Sequence, residues 1–124
     1  MEIIRKIGIV GSRRRNASYD YKIVLNKFLE MYQEGDIIVS GGCPEGADSF
    51  AEDIGRKNGI PFLIFPANWK KYGKSAGFVR NKDISDNSDI LIACVAPDRK
   101  GGTENTIKYF KNKNNFDKSM LHII

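Results

Sequence analysis

The sequence has few of the residues that bind metals or form disulfides. It contains two cysteines, Cys43 and Cys94, and one histidine in 124 residues. The cysteines lack the spacing of a zinc motif, and a small disulfide-stabilised scaffold would carry more of them. We therefore expect no bound metal ion and no cofactor, and both thiols should be reduced.

Long apolar runs are also missing. No stretch approaches the roughly 18 residues of a membrane span, and the N-terminal segment lacks the apolar core and cleavage site of a signal peptide. The hydrophobic fraction of 41% and the charged fraction of 28% are ordinary for a globular protein. These features predict one cytoplasmic domain over residues 1–124, without a membrane partner.

Positive charge is in excess. The formal net charge of +5 favours an anionic partner, either a nucleotide or a nucleic acid. Three consecutive arginines, Arg13, Arg14 and Arg15, are the densest cationic run. We expect Arg13 to contact a ligand phosphate, because a guanidinium can bind phosphate through two hydrogen bonds. Arg14 and Arg15 are expected on the surface.

The spacing of apolar residues predicts the fold. Five short runs rich in β-branched residues are predicted as strands: Lys6–Gly11, Ile37–Ser40, Phe62–Phe65, Ile90–Val95 and Met120–Ile124. Four segments with helical spacing separate them: Tyr21–Gln33, Ala47–Asn58, Gly77–Asn87 and Thr103–Lys113. This alternation predicts a three-layer, Rossmann-like α/β fold: a five-stranded parallel sheet, ordered 3-2-1-4-5, with helices on both faces.

The loops that follow the predicted strands are rich in Gly, Arg, Ser, Thr and Asn. They cover residues 11–16, 40–48, 66–81 and 97–106. Because the carboxyl ends of parallel strands share one edge of the sheet, we expect these loops to form a single cleft. Glycine-rich loops and helix starts bind anionic oxygens. Neither GxGxxG nor GxxxxGK[ST] is present, which argues against a standard dinucleotide-binding fold and a P-loop NTPase.

Four motifs in these loops together resemble one known family. GSR at 11–13, SGGCPEGAD at 40–48, FPANWKKYGKSAGFVRN at 65–81 and GGT at 101–103 resemble the SLOG superfamily, in particular its small YspA-like branch. The resemblance runs from Lys6 to Ile124, and residues 66–81 are its most specific part. It implies a Rossmann-like domain, related to the "lonely guy" phosphoribohydrolases and to the DNA-processing protein DprA, that binds nucleotides or nucleotide-derived ligands.

The loop composition and this resemblance predict the ligand-binding residues. The phosphate of a nucleotide suits the glycine amides, and its ribose hydroxyls can donate hydrogen bonds to Asp48. The predicted set is Gly11, Ser12, Arg13, Ser40, Gly41, Gly42, Asp48, Trp69, Arg80, Asn81, Gly101, Gly102 and Thr103. Some members also have structural alternatives: Asp48 as a carboxylate in the first turn of a helix, Trp69 as a seal on the core edge, and Thr103 as an ordinary helix N-cap.

The resemblance also bears on catalysis. Arg80 aligns with the arginine associated with catalysis in the phosphoribohydrolases and would be the catalytic residue of an enzyme. Its structural alternative is an ion pair with Asp83 or Glu104. The glutamate of the family motif PGGxGTxxE is replaced by Thr106, and Glu104 points about 200° away from Thr106 around the helix.

Loss of that glutamate weakens the case for hydrolysis, because cleavage of an N-glycosidic bond uses a carboxylate near the developing charge. Asp48, Glu45 or Asp98 could supply it. We therefore favour binding of a nucleotide or nucleotide-derived ligand, in a sensor or sequestering role. The alternatives are an N-glycosidase (phosphoribohydrolase) acting on a nucleotide and, third, nucleic-acid binding. The sequence is also compatible with a homo-oligomer.

Overall fold

The five strands form one parallel sheet in the order β3-β2-β1-β4-β5, in a computed structural model that describes residues 4–124. The strands are β1 (Lys6–Gly11), β2 (Ile37–Ser40), β3 (Phe62–Ile64), β4 (Ile90–Cys94) and β5 (Leu121–Ile123). β1 lies at the centre, where Ile7 pairs with Ile38 of β2 and with Ile90 of β4. The predicted strand order and direction are confirmed.

Helices fill the connections between the strands. They are α1 (Ser18–Met31), α2 (Ala47–Asn58), α3 (Trp69–Tyr72), α4 (Ala76–Asp86) and α5 (Gly102–Lys111), with short 3-10 turns at Gly73–Ser75 and Lys118–Met120. Within residues 4–124, none of them combines the length and hydrophobicity needed to cross a bilayer.

Both ends of α1 differ from the prediction for local reasons. α1 begins at Ser18 rather than Tyr21, because the Asp20 carboxylate accepts a hydrogen bond from the Ala17 amide at 3.1 Å and so closes the first turn. The helix ends at Met31, since Tyr32 adopts an extended conformation. β3 and β5 are also shorter than predicted, at 3 residues each; both are edge strands with a neighbour on one side only.

The sheet is covered on both faces, as predicted. On one face, Ile7 and Ile9 of β1 pack with Phe28 of α1 and Ile54 of α2. On the other, buried residues of β1, β2 and β4 pack against α4 and α5: Val10, Val39, Leu91, Ala93, Ile84, Ile107 and Phe110. Because consecutive side chains of a strand point to opposite faces, the fully apolar strands supply both cores.

The amino-terminal edge of the sheet is closed by paired charges. Asp36, which is 5% exposed, accepts hydrogen bonds from Arg5 Nε and Nη2 and from the Gln33 amide. Arg5 Nη2 also donates to the Met31 carbonyl at 2.6 Å. Asp89 accepts from the Lys6 amide at 2.8 Å. The charged side chains at this edge therefore find their hydrogen-bond partners within the protein.

Candidate ligand-binding cleft

A cleft of about 670 Å³ lies at the carboxyl-terminal edge of the sheet, within the size range of small-molecule sites. All four loops that were predicted to meet there contribute to its wall, so Ser12, Gly42 and Thr103 share one cavity. The lining residues are Val10, Gly11, Ser12, Arg13, Arg14, Gly41, Gly42, Cys43, Pro44, Asp48, Pro66, Ala67, Trp69, Arg80, Asn81, Ile84, Lys100, Gly101, Gly102, Thr103 and Thr106.

The start of α5 opens onto this cleft. Its N-cap residue is Gly101, at φ +123°, and no side chain caps the helix. Gly102 and Thr103, which supply the first amides, line the cavity. Thr103 is therefore not the N-cap. An uncapped helix start offers unpaired N–H groups and a positive partial charge, and both attract anions.

The start of α2 is used differently. It also has no side-chain cap, but the Gly46 amide donates to Asn16 Oδ1 at 2.8 Å. Gly46 packs against the loop after β1, since a Cβ at this position would lie 2.7 Å from the Ser12 carbonyl oxygen. The structure thus gives α5, rather than α2, the helix start that faces the cleft.

Gly41 leaves room for two charged side chains that line the cleft. A Cβ on Gly41 would lie 2.9 Å from Asp48 Oδ2 and 3.0 Å from Arg80 Nη1. The carboxylate and the guanidinium therefore occupy the space that a side chain at position 41 would fill. Arg80 Nη1 also donates to the Gly41 carbonyl at 3.3 Å.

Arg80 reaches the cleft without an acidic partner. Among residues 4–124 it forms no ion pair, so the alternative pairings with Asp83 and Glu104 do not occur. Glu104 instead binds Arg99 through two hydrogen bonds of 2.8 Å. Arg80 Nε donates to Asn81 Oδ1 at 2.9 Å and Nη1 donates to the Gly41 carbonyl. These bonds orient the guanidinium, and Nη2 has no partner among residues 4–124.

Asn81 joins the two helices beside the cleft. It is 7% exposed, and its Nδ2 donates to Asn105 Oδ1 at 2.9 Å and to the Gly102 carbonyl at 3.3 Å. The same side chain accepts from Arg80. Asn81 therefore couples the position of Arg80 on α4 to the start of α5.

Asp48 is the carboxylate in the wall of the cleft. It is 8% exposed and accepts a hydrogen bond from the Cys43 amide at 3.1 Å. Burial raises its pKa to about 6, although the Cys43 amide and the nearby Arg80 charge act in the opposite direction. Asp48 lies in the first turn of α2, as its structural alternative requires, and it also lines the cavity.

The three consecutive arginines have three different environments. Arg13 is exposed and lines the cleft. Arg14 lines it too, but is held by Asp98 at 2.7 and 2.9 Å. Arg15 was expected on the surface, and this expectation is wrong.

The Arg15 side chain is 19% exposed because it is fixed by groups from other elements. It pairs with Asp20, whose side chain is 2% exposed. It also donates to the carbonyls of Val95 and Ile124, at 3.1 and 2.7 Å. Arg15 thus ties β5 and α1 to the loop after β1, and its role is structural.

Two residues of the predicted set serve mainly as support. Ser40 is fully buried and does not line the cleft; its hydroxyl donates to the Asp48 carbonyl at 3.4 Å and accepts from the Gly42 amide at 3.4 Å. Gly11 lines the cleft at the end of β1, where a Cβ would lie 2.7 Å from that of Ala47. Both positions shape the loops that form the cavity.

Trp69 does not seal the core. It is 62% exposed and lines the cleft at the first residue of α3, so the structural alternative stated for it is wrong. Tyr72, one turn later, is 39% exposed and does not line the cavity.

The missing glutamate has no replacement at its own position. Thr106 is 2% exposed, lines the cleft and directs Oγ1 toward the Gly102 carbonyl at 3.5 Å. Glu104 points away, as the helical geometry predicts. Of Asp48, Glu45 and Asp98, only Asp48 lines the cavity.

Several lining residues were missed from the sequence. They are Val10, Arg14, Cys43, Pro44, Pro66, Ala67, Ile84, Lys100 and Thr106. Most lie inside the four predicted loops, so their positions in the sequence could have been used to predict that they line the cleft. Within residues 4–124, no three His, Cys, Asp or Glu side chains are grouped as metal ligands would be.

Comparisons with protein-family models, with curated proteins and with solved structures find no match for this chain.

Proposed function

We propose that this domain binds a nucleotide or nucleotide-derived ligand in the cleft, in a sensor or sequestering role, as its resemblance to SLOG domains implies. One observation carries the proposal: the uncapped start of α5, the unpaired Arg80 and the buried Asp48 meet in one cavity. A nucleotide carries groups that suit each of them, whereas a purely anionic ligand would be repelled by Asp48.

The phosphate is assigned to the cationic groups and the helix start. Arg13, Arg80 and Lys100 line the cleft with the amides of Gly102 and Thr103. Charge-assisted hydrogen bonds from guanidinium groups are among the stronger polar contacts in proteins, and the α5 start adds partial positive charge. These groups balance the negative charge of a phosphate that leaves water.

The sugar is assigned to Asp48. When ionised, the carboxylate is a hydrogen-bond acceptor only, so it favours a ligand that presents hydroxyl donors. With a pKa of about 6, Asp48 is mostly ionised at neutral pH and loses this capacity as the pH falls below that value. We therefore expect affinity for a ribose-containing ligand to weaken between pH 7 and pH 5.

A second candidate is hydrolysis of an N-glycosidic bond in the same ligand. The observation that favours it is the proximity of Asp48, whose raised pKa suits proton transfer, to Arg80: both side chains lie beside the Cβ position of Gly41. Thr106 in place of the family glutamate favours binding alone. Nucleic-acid binding is disfavoured, because Arg14 and Arg15 are already paired within the protein.

Both cysteines are free thiols. This supports a reducing compartment, and hence the cytoplasmic location expected from the sequence.

A thermal-shift screen tests the proposal. The panel contains nucleoside mono-, di- and triphosphates, cyclic dinucleotides, NAD, ADP-ribose and a single-stranded oligonucleotide. A ligand present at 100 times its Kd stabilises the folded state by about 2.7 kcal/mol, which is readily detected. We expect a nucleotide to raise Tm and chromatography to show no free base.

Each of the other outcomes has a definite meaning. Release of free base by wild type, abolished in Arg80→Ala, would establish the hydrolase instead. Stabilisation by the oligonucleotide alone, with steep salt dependence, would establish nucleic-acid binding. A panel without any stabilising compound would contradict the proposal.

A further inference from the structure

The single tryptophan of the chain is exposed at the mouth of the cleft. Trp69 keeps 62% of its surface open to solvent and is one of the lining residues. Large aromatic residues usually bury most of their surface. An open indole in the wall of a polar cavity therefore offers a flat apolar surface to whatever enters.

The local structure holds this indole next to α4. Asn68 caps α3, its Oδ1 accepting from the Lys71 amide at 3.1 Å. The ring tip lies against the backbone of Gly77, where a Cβ would be 3.7 Å from Trp69 Cη2. Arg80 follows Gly77 by three residues on the same helix and so projects from a neighbouring part of its surface. The indole and the guanidinium are thus adjacent on one wall.

The order of the strands places different residue types in different parts of the cleft wall. Pro66, Ala67 and Trp69 belong to the connection after the edge strand β3, whereas Asp48 follows β2. The cationic residues Arg13 and Arg14 follow the central β1, and Lys100 follows β4. Read across β3-β2-β1-β4, the wall changes from apolar and aromatic, through Asp48 and Arg80, which both lie beside Gly41 directly after β2, to cationic.

We propose that Trp69 is the stacking surface for a nucleobase, with the base above β3 and the phosphate toward β1 and β4. This inference rests on the proposed function and narrows it: the ligand class is a nucleotide with an intact planar base, rather than a sugar phosphate. Stacking on an aromatic side chain tolerates any base, because each presents a π-face. Trp69 therefore sets the requirement for a base without choosing among bases.

Calorimetric titration with two kinds of probe tests the inference. The first kind is the four common nucleoside 5′-monophosphates, and the second is ribose 5-phosphate, which keeps the sugar and phosphate but lacks the base. At least one monophosphate should bind about tenfold more tightly than ribose 5-phosphate. Because Trp69 is the sole tryptophan, that nucleotide should also change the intrinsic fluorescence of wild type.

Three variants sharpen the test. Trp69→Ala should reduce nucleotide affinity to that of ribose 5-phosphate, and Trp69→Phe should retain most of it. Tyr72→Ala is the matched control: it removes another exposed aromatic residue of α3, outside the cleft wall, and should leave affinity unchanged. Circular dichroism melting confirms that each variant is folded.

The results separate this inference from the function on which it rests. Equal affinity of wild type and folded Trp69→Ala for the nucleotide would overturn the stacking role and leave nucleotide binding intact. Equal affinity of wild type for the nucleotide and for ribose 5-phosphate would also overturn the stacking role. If wild type binds neither kind of probe, the stacking inference fails; if it also binds no nucleotide of the thermal-shift panel, the proposed function fails with it.

Discussion

At the amino-terminal edge of the sheet, charged side chains bind one another, whereas at the carboxyl-terminal edge several face an open cavity. Asp36 accepts hydrogen bonds from Arg5 and from a backbone amide. Asp48, at the other edge, is almost as buried but accepts from the Cys43 amide and has no ion pair within residues 4–124. The same residue type is thus paired with a cation at one edge and lines an open cavity without an ion pair at the other.

The largest loss of stability is expected for a substitution at the amino-terminal edge of the sheet. Asp36→Ala removes the partner of a half-buried guanidinium, and loss of one member of such a pair costs about 3 to 4 kcal/mol. Chemical denaturation should show this loss. Nucleotide affinity of the folded fraction should not change, because Arg5 and Asp36 lie at the edge opposite the cleft. A fall in nucleotide affinity without a loss of stability would contradict the assignment of different roles to the two edges.

Asp48→Asn should have the opposite effect on stability. The folded-state pKa of about 6 lies above the 3.8 of an ordinary aspartate. The folded protein therefore keeps a proton that the unfolded chain has already lost, and the contribution of Asp48 to stability falls as the pH rises from about 4 to about 6.

An asparagine at position 48 carries no charge to bury and can still accept from the Cys43 amide. We expect Asp48→Asn to be more stable than wild type at pH 7.5 by about 3 kcal/mol, with the difference vanishing near pH 4. Denaturation at both pH values measures it. Nucleotide affinity should fall in the same variant. A less stable variant at pH 7.5 would show that the Asp48 charge supports the fold.

The smallest effect on stability is expected for Arg13→Ala. Arg13 is exposed and has no ion pair within the described part of the chain, so stability should change by less than about 0.5 kcal/mol. Affinity for an anionic ligand should decrease, and more so at low ionic strength, where charges are less screened. Arg15→Ala is the contrast: it leaves Asp20 buried without its partner and should lower Tm.

The fold and the location of the cleft were predictable because they depend on regular patterns. Alternating apolar runs and helical segments determine a doubly wound sheet, and that sheet brings the loops after its strands together. The uncapped start of α5 follows from a glycine at the N-cap, Gly101, which has no side chain to cap the helix. These features depend on residues that are neighbours in the sequence.

The roles of individual side chains were less predictable, because their partners come from distant elements. Arg15 reads like Arg13 in the sequence, but Asp20, Val95 and Ile124 surround it only after the sheet forms. Trp69 is the first residue of a four-residue helix, α3, and no periodicity reveals so short an element. Ser40 was predicted to bind the ligand, yet its side chain at the end of β2 is fully buried and does not line the cleft.

The most direct test of the central claim is the affinity of folded Arg80→Ala for the nucleotide identified by the screen. Lys22→Ala is the control, since it removes an equal charge from an exposed position of α1 outside the cleft. Charge-assisted hydrogen bonds contribute about 1.5 to 3 kcal/mol, so calorimetry should show about a tenfold or greater loss in Arg80→Ala, with little change in Lys22→Ala. Unchanged affinity in a well-folded Arg80→Ala protein would contradict the account.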